Sequence, residues 1–303
     1  MNIFVTGATG YLGYHFVNVA ISQGHKVLCL RRPTSVSLFE PIIEKQILWV
    51  NNDDEVKLRE IVNAFRPDVL FHAAWGGTRG RERNDAAIQE HNVQMSKHLI
   101  TLYPYKQIIV LGSQAEYGYY TGPAMETDEL RPNTIYGQAK IETCEFLKEY
   151  CEAHNIEWQW IRLFTLFGEN QTGGLIKIFT EKCLRGEKEF NTTEGLQRYS
   201  YMYTFDIAKA ICMVIGSKGK SGIYNLSQPN DVYTNQWILT HIKELMHSEI
   251  QLNFGAIPYE ENQVMYMDGY VSKFQNAFGD IPHTNFEEAL RRTIESIKKN
   301  YQI

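Results

Sequence analysis

Asn2-Ile3-Phe4-Val5-Thr6-Gly7-Ala8-Thr9-Gly10-Tyr11-Leu12-Gly13 is the stretch that decides the fold. An apolar run ends on a glycine, two more glycines follow at three-residue intervals, and a helical pattern (Leu12, Phe16, Val19, Ala20) starts inside the motif. The spacing gives each glycine a task. Gly7 permits a tight turn, Gly10 lets backbone approach a pyrophosphate, and Gly13 lets helix pack closely on strand. The helix N-terminus then turns free N–H groups and a positive dipole end toward phosphate. Three ordinary turn glycines would share this spacing, but the strand–turn–helix context favours the dinucleotide reading.

Outward from the turn, short apolar runs alternate with helical patterns. Asn2–Thr6, Lys26–Leu30, Ile47–Val50, Val69–Ala73, Gln107–Gly112 and Glu157–Phe164 read as strands. Near-continuous apolar strands alternating with helices predict an α/β fold, a Rossmann-type doubly wound parallel sheet. The regularity weakens after Gly168. Leu175–Leu184, Asn235–Met246 and Phe286–Lys299 read as helices, the last with Leu290, Ile294 and Ile297 on one face, and Gly222–Leu226 reads as a strand. The expected division is a dinucleotide-binding domain over residues 1–168, which also receives segments around 200–228, and a smaller mixed substrate-binding subdomain over 169–303.

Composition narrows the class. The 303 residues are 44% apolar and 21% charged with a net charge of −5, which gives no electrostatic footprint for nucleic acid. Five cysteines cannot all pair and none lie at metal-ligand spacing, and the histidines form no ligand set. A reduced, cytoplasmic setting and no metal are the expectations. The N-terminus lacks the pattern of a signal peptide, and no apolar stretch approaches the ~20 residues that span a bilayer.

Cofactor preference is written at the end of the second strand. Where an acid would bind a ribose 2′-hydroxyl, this chain has Arg31-Arg32, a pair suited to a 2′-phosphate, although two solvated arginines would also fit there. NADP(H) is therefore expected over NAD(H). After the third strand, Asp53 or Asp54 is placed either to accept the adenine amino group or to cap the next helix.

Tyr136 and Lys140 stand four apart in a long helical pattern and share one face. A nearby ammonium favours the phenolate and makes tyrosine a usable acid–base group. Ser113 ends the fifth strand, at the edge where open α/β sheets place their sites, and its hydroxyl can hold a carbonyl oxygen near Tyr136.

These motifs together resemble the extended short-chain dehydrogenases that act on nucleotide sugars. The resemblance covers nearly the whole chain. It includes the Gly7/Gly10/Gly13 turn, His72-Ala73-Ala74-Trp75, Asn92, Ser113 before Tyr117-Gly118, Tyr136-x-x-x-Lys140, Arg162 to Gly168, Asp206-Ile207-Ala208 and Tyr224-Asn225-Leu226. It implies a Ser113–Tyr136–Lys140 triad, with Lys140 also touching the nicotinamide ribose. It further implies cofactor contacts from Thr9, Tyr11, Leu12, Ala73, Ala74, Trp75, Asn92 and Leu163. Substrate contacts are implied for Trp75, Gln114, Glu116, Thr165, Leu175 and Arg198. The substrate would be a nucleotide-diphosphate sugar, and the protein a homodimer.

Within that family, 4,6-dehydratases carry an acidic pair where this chain has Gln114 and Ala115. Epimerases of the UDP-galactose type normally end the second strand in an acid. The expected reaction is NADPH-dependent reduction of a nucleotide-diphospho-4-keto-6-deoxyhexose at C4. A 4-epimerase with bound NAD is the alternative, and a non-catalytic NADP-sensing regulator is disfavoured by the intact Tyr–Lys pair.

Overall fold

The computed structural model describes residues 1–260 and 263–301. Its first half alternates strictly: β1 (Asn2–Thr6), α1 (Tyr11–Ser22), β2 (Lys26–Arg31), α2 (Pro41–Glu44), β3 (Ile47–Asn51), α3 (Glu55–Phe65), β4 (Val69–His72), α4 (Ala86–Thr101), β5 (Gln107–Ser113), α5 (Ile135–His154) and β6 (Glu157–Leu163). Then follow β7 (Thr165–Phe167), α6 (Leu175–Leu184), β8 (Glu189–Asn191), β9 (Arg198–Tyr203), α7 (Thr204–Val214) and β10 (Gly222–Leu226). The chain closes with β11 (Val232–Thr234), α8 (Asn235–Leu245), β12 (Gln251–Asn253), β13 (Tyr266–Met267), α9 (Ser272–Phe278) and α10 (Phe286–Tyr301).

Seven parallel strands form the main sheet in the order β10-β6-β5-β4-β1-β2-β3. The two-residue period of a strand explains why its apolar runs are continuous. Ile3, Val5, Val27, Cys29, Val69 and Phe71 face one core with α1 and α7, whereas Phe4, Leu28, Leu70, Ile108 and Val110 face the opposite core with α3, α4 and α5. Both faces are covered, as the sequence requires. The strand order reverses direction between β1 and β4, and in such sheets ligands bind at that switch point, outside the carboxyl ends of the strands. In-register pairing brings Thr6, His72, Ser113 and Leu163 to that edge.

The smaller part centres on β9, flanked by β11 and β13 and also paired with β7, over a core rich in aromatics: Phe167, Tyr199, Tyr201, Tyr203 and Phe286. Neither β7 nor β9 was expected. Arg198-Tyr-Ser-Tyr-Met-Tyr203 reads as scattered polar and aromatic residues, yet all but Arg198 are buried. Their hydroxyls find partners such as Asn235 and Glu169, so tyrosine serves here as core. The expected helix at the C-terminus is α10, with Leu290, Ile294 and Ile297 inward. All five cysteines are free thiols, and among the described residues no helix is long and apolar enough to cross a membrane.

The glycine turn is the tightest point of the main sheet. Gly7 takes φ +78°, and a Cβ there would press on the Ala73–Ala74 backbone, while a Cβ on Gly13 would collide with the Gly7 carbonyl oxygen. Both obstacles are backbone and cannot rotate away. Gly13→Ala should cost about 3 kcal/mol or more through overpacking, read as a lowered midpoint of thermal or denaturant unfolding.

Candidate active site

The turn between β1 and α1 is built to receive an anion. Gly10 stands at the N-cap of α1 with no side-chain cap, and the first turn carries no acidic residue. The leading N–H groups therefore have no carboxylate or hydroxyl neighbour, and a phosphate would satisfy them together with the dipole. Thr9 and Tyr11 flank the opening, and Leu12 is buried behind it. The residues present fit a dinucleotide pyrophosphate.

Opposite the turn, β4 leads into a loop pinned by two side chains of α4. Asn92 grips the Gly76 backbone from both sides, accepting from its N–H and donating to its carbonyl, each at 2.9 Å. Gln89 accepts from Trp75 Nε1 at 2.9 Å and donates to the carbonyls of Gly77 and Glu82. Ala73 and Ala74 bond to Thr6, through its carbonyl and its hydroxyl respectively. Gln89 was missed because a lone amide on a helix looks like a solvated face. His72, fully buried between Thr6 and Ser96, is held down to about 3 by burial and by Lys140.

The start of α5 places the next pair. Thr134 caps the helix through Gly137 N–H, and Asn84 Oδ1 accepts from Ile135 N–H, tying α5 to the loop after β4. Gly137 lies against the Ala115 carbonyl so closely that a Cβ would stand 2.5 Å from it. That approach brings the start of α5, with Tyr136, against the turn that follows Ser113. One turn on, Lys140 is buried, donates to the Leu111 carbonyl at 2.7 Å and lies 3.5 Å from the centre of the Trp75 ring. Trp75 meets Tyr136 edge-on at 6.1 Å. The Gln114 Oε1 atom is buried beside Ser113 without a hydrogen-bond partner among the described residues.

Burial raises Tyr136 to about 12, against the Ser113 hydrogen bond and the charge of Arg83, which lower it; Glu116 and Tyr11 add to the rise. Burial also draws Lys140 down to about 7, opposed by Glu116. The Lys140 ammonium is turned to Leu111 and Trp75, 5.9 Å from the centre of the Tyr136 ring, and Arg83 is a second cation near that ring, at 5.3 Å.

Glu116 is a departure. Expected at the substrate, it lies fully buried beneath the site. Its carboxylate accepts from Ser113 N–H at 2.8 Å, from Trp160 Nε1 at 2.9 Å and from Arg162 Nε at 2.7 Å. Arg162 continues to the Tyr117 hydroxyl, which donates to Asn225. The alternation of β6 hides this, because a buried arginine in an apolar strand reveals its partner only in three dimensions.

The remaining expected residues divide. Arg31 Nε donates to Asn51 and its guanidinium lies 4.9 Å from the Trp49 ring centre, in a depression shared with Asp53, Asp54 and Lys57, while Arg32 is exposed beside it. Asp54 caps α3 by accepting from Lys57 N–H, the second of the two roles open to it. Leu163 pairs in register with Ser113, and Thr165 opens β7 two residues on. Leu175, the first residue of α6, packs on the aromatic core of the smaller part, and Arg198 stands exposed at the start of β9. Among the described residues, no group of three His, Cys, Asp or Glu side chains is placed to hold a metal.

The buried ion pair makes a stability prediction. Glu116→Ala leaves the Arg162 guanidinium buried without its counter-charge and should lower the unfolding free energy by about 3–5 kcal/mol in denaturant melts.

The chain is 26% identical to the putative UDP-glucose 4-epimerase of Methanocaldococcus jannaschii, over 98% of this chain and 99% of that one. It is 27% identical to the dTDP-6-deoxy-L-talose 4-dehydrogenase (NAD(+)) of Aggregatibacter actinomycetemcomitans, over 74% of this chain and 83% of the relative. The UDP-N-acetylglucosamine 4-epimerase of Methanobrevibacter ruminantium shares the fold, with a TM-score of 0.87 at 22% identity over 99% and 98% of the two chains. The NAD dependent epimerase/dehydratase family matches residues 3–227, most of the length, and the chain belongs to that family.

Proposed function

We propose that this protein reduces the 4-keto group of a nucleotide-diphospho-4-keto-6-deoxyhexose, using NADPH. The observation that carries the choice of reaction is the neighbourhood of Ser113. Elimination of water needs a free acid–base pair beside the Ser–Tyr–Lys set. Here the following positions hold Gln114 and Ala115, and the nearest carboxylate, Glu116, has its oxygens engaged by Ser113, Trp160 and Arg162. What is left supports proton transfer at one oxygen.

The glycine turn and the α1 N-terminus would hold the cofactor pyrophosphate, with Arg31 and Arg32 toward the adenosine ribose. The absence of an acid at the end of β2 supports a 2′-phosphate there. When bound, the nicotinamide supplies hydride to the carbonyl carbon. Ser113 donates a hydrogen bond to the keto oxygen and orients it. Tyr136 gives that oxygen its proton as negative charge develops. Lys140, buried under Trp75, would meet the nicotinamide ribose, and Gln114 would offer its unpaired amide oxygen to a sugar hydroxyl. Ala73, Ala74, Asn92 and Leu163 would shape the cofactor cleft, with Thr165, Leu175 and Arg198 toward the substrate. A homodimer through α4 and α5 belongs to the same proposal.

The relative named as a dTDP-6-deoxy-L-talose 4-dehydrogenase supports oxidoreduction at C4 of such a sugar. A second reading, 4-epimerisation with bound NAD, is favoured by the near full-length match to a putative UDP-glucose 4-epimerase. One assay separates them. The purified protein is offered dTDP-, CDP-, GDP- and UDP-linked 4-keto-6-deoxyhexoses with NADPH or NADH, and nicotinamide absorbance is followed. Stoichiometric NADPH oxidation supports the reductase. No oxidation, with conversion of a nucleotide sugar to its C4 epimer without added cofactor, overturns it. Tyr136→Phe should lower turnover by roughly 10²–10⁴-fold while cofactor affinity, read by fluorescence titration, stays nearly unchanged.

A further inference from the structure

The loop between β4 and α4 carries more charge than its turn geometry requires. Its short 3-10 segment, Gly80–Asn84, holds Arg81 and Arg83, with Arg79 just before it. Arg79 reaches outward, lies close enough to Tyr11 for its charge to oppose the rise that burial causes in that phenol's pKa, and donates to the Thr172 hydroxyl at 3.4 Å. Arg83 turns the other way. Its guanidinium carbon stands 5.3 Å from the centre of the Tyr136 ring, and its Nε is buried with no hydrogen-bond partner. No carboxylate forms an ion pair with it among the described residues. Arg83 as a whole is half-buried, so its guanidinium keeps part of its contact with water while its Nε is withdrawn from it.

The position is fixed on both sides. Gln89 holds the Glu82 carbonyl immediately before Arg83, and the Asn84 side chain immediately after it takes the Ile135 N–H, next to Tyr136. The same two contacts therefore set the loop and the start of α5 relative to each other, and Arg83 lies between them.

We propose that Arg83 is a positioning residue of the reaction centre, whose guanidinium stabilises the tyrosinate that Tyr136 becomes after it gives up its proton. The inference rests on the reading of Tyr136 as the acid–base group. The ionisable and polar groups around Tyr136 are few: Arg83 from the loop, Ser113 from β5, Glu116 from the turn after β5, Tyr11 from α1, and Lys140 one turn along α5. Burial, Glu116 and Tyr11 disfavour the phenolate, whereas Arg83 and Ser113 favour it. Lys140 is engaged elsewhere, by the Leu111 carbonyl and the face of Trp75. Arg83 thus places a second cation at the Tyr136 ring, 5.3 Å from its centre, beside that of Lys140 at 5.9 Å. The sign is definite: removing a cation beside a phenol raises its pKa.

A test that needs no substrate replaces Tyr136 with a ring-fluorinated tyrosine by site-specific incorporation. That phenol titrates well below tyrosine, within the range where the chain stays folded, and the 19F shift reports its ionisation. In the full-length protein, R83M and R83Q should raise the midpoint by about one pH unit, and R83K should bring it most of the way back. An unchanged midpoint in both neutral variants overturns the proposal, and so does an R83K midpoint equal to theirs, since charge would then not be the cause. With unmodified Tyr136, R83M should move the alkaline limb of keto reduction and the acid limb of the reverse oxidation upward together. If no keto sugar is turned over but the 19F midpoint moves, the functional reading fails and the role of Arg83 stands.

Discussion

The Glu116 carboxylate, fully buried at the end of β5, gathers the polar interior on which the site rests. It accepts from the Ser113 backbone, from the Trp160 indole and from Arg162, and so joins β5, the turn after it and β6. Through Arg162 and Tyr117 the chain of hydrogen bonds reaches Asn225 on β10, the edge strand, whose own N–H is taken by Glu126. Such a pair adds little net stability over an apolar equivalent, but removing one member is severe. Its contribution is to orientation. The Ser113 N–H is fixed from below, so the hydroxyl above is presented to Tyr136. A Cβ on Gly112 would collide with the Trp160 indole, which shows how closely the strands are drawn together here.

Above this layer, the loop after β4 is held by amides. Asn92 and Gln89 on α4 take the backbone of Gly76, Gly77 and Glu82, and Asn84 takes the first N–H of α5. A loop so bonded carries its side chains as a rigid element would. That is why Trp75 can lie on Lys140 and Arg83 on Tyr136 with defined geometry. Ionisation of Tyr136 is then subject to two opposed effects. Burial resists the phenolate, and a few directed groups favour it, which is how a phenol is brought toward use in a dry site.

Much of the main sheet is legible in the residues. Strands facing two cores are apolar at most positions, and each of the six expected runs matches a strand within a residue or so. Gly7 and Gly13 are readable because each would press a Cβ onto backbone, an approach that only glycine tolerates. The smaller part is much less legible. β7, β8, β11, β12 and β13 are two or three residues long, and β9 is rich in tyrosines whose burial depends on partners distant in sequence. Period and propensity carry no information about such partners.

The sequence by itself determined the doubly wound sheet, the glycine turn before the first helix and the nearness of Tyr136 to Lys140. These follow from local spacing: two residues per strand repeat, 3.6 per helical turn, and three glycines at a strand end. Tertiary structure alone decided what the charges do. Glu116 and Arg162 are 46 residues apart and meet as a buried pair. Asp54 became a helix cap, and Lys140 turned to a carbonyl and an indole. Arg83, one of three arginines in a basic run of the chain, came to stand over Tyr136. The electrostatic field at a group is a sum over neighbours in space, and spacing along the chain fixes only those within a turn or two.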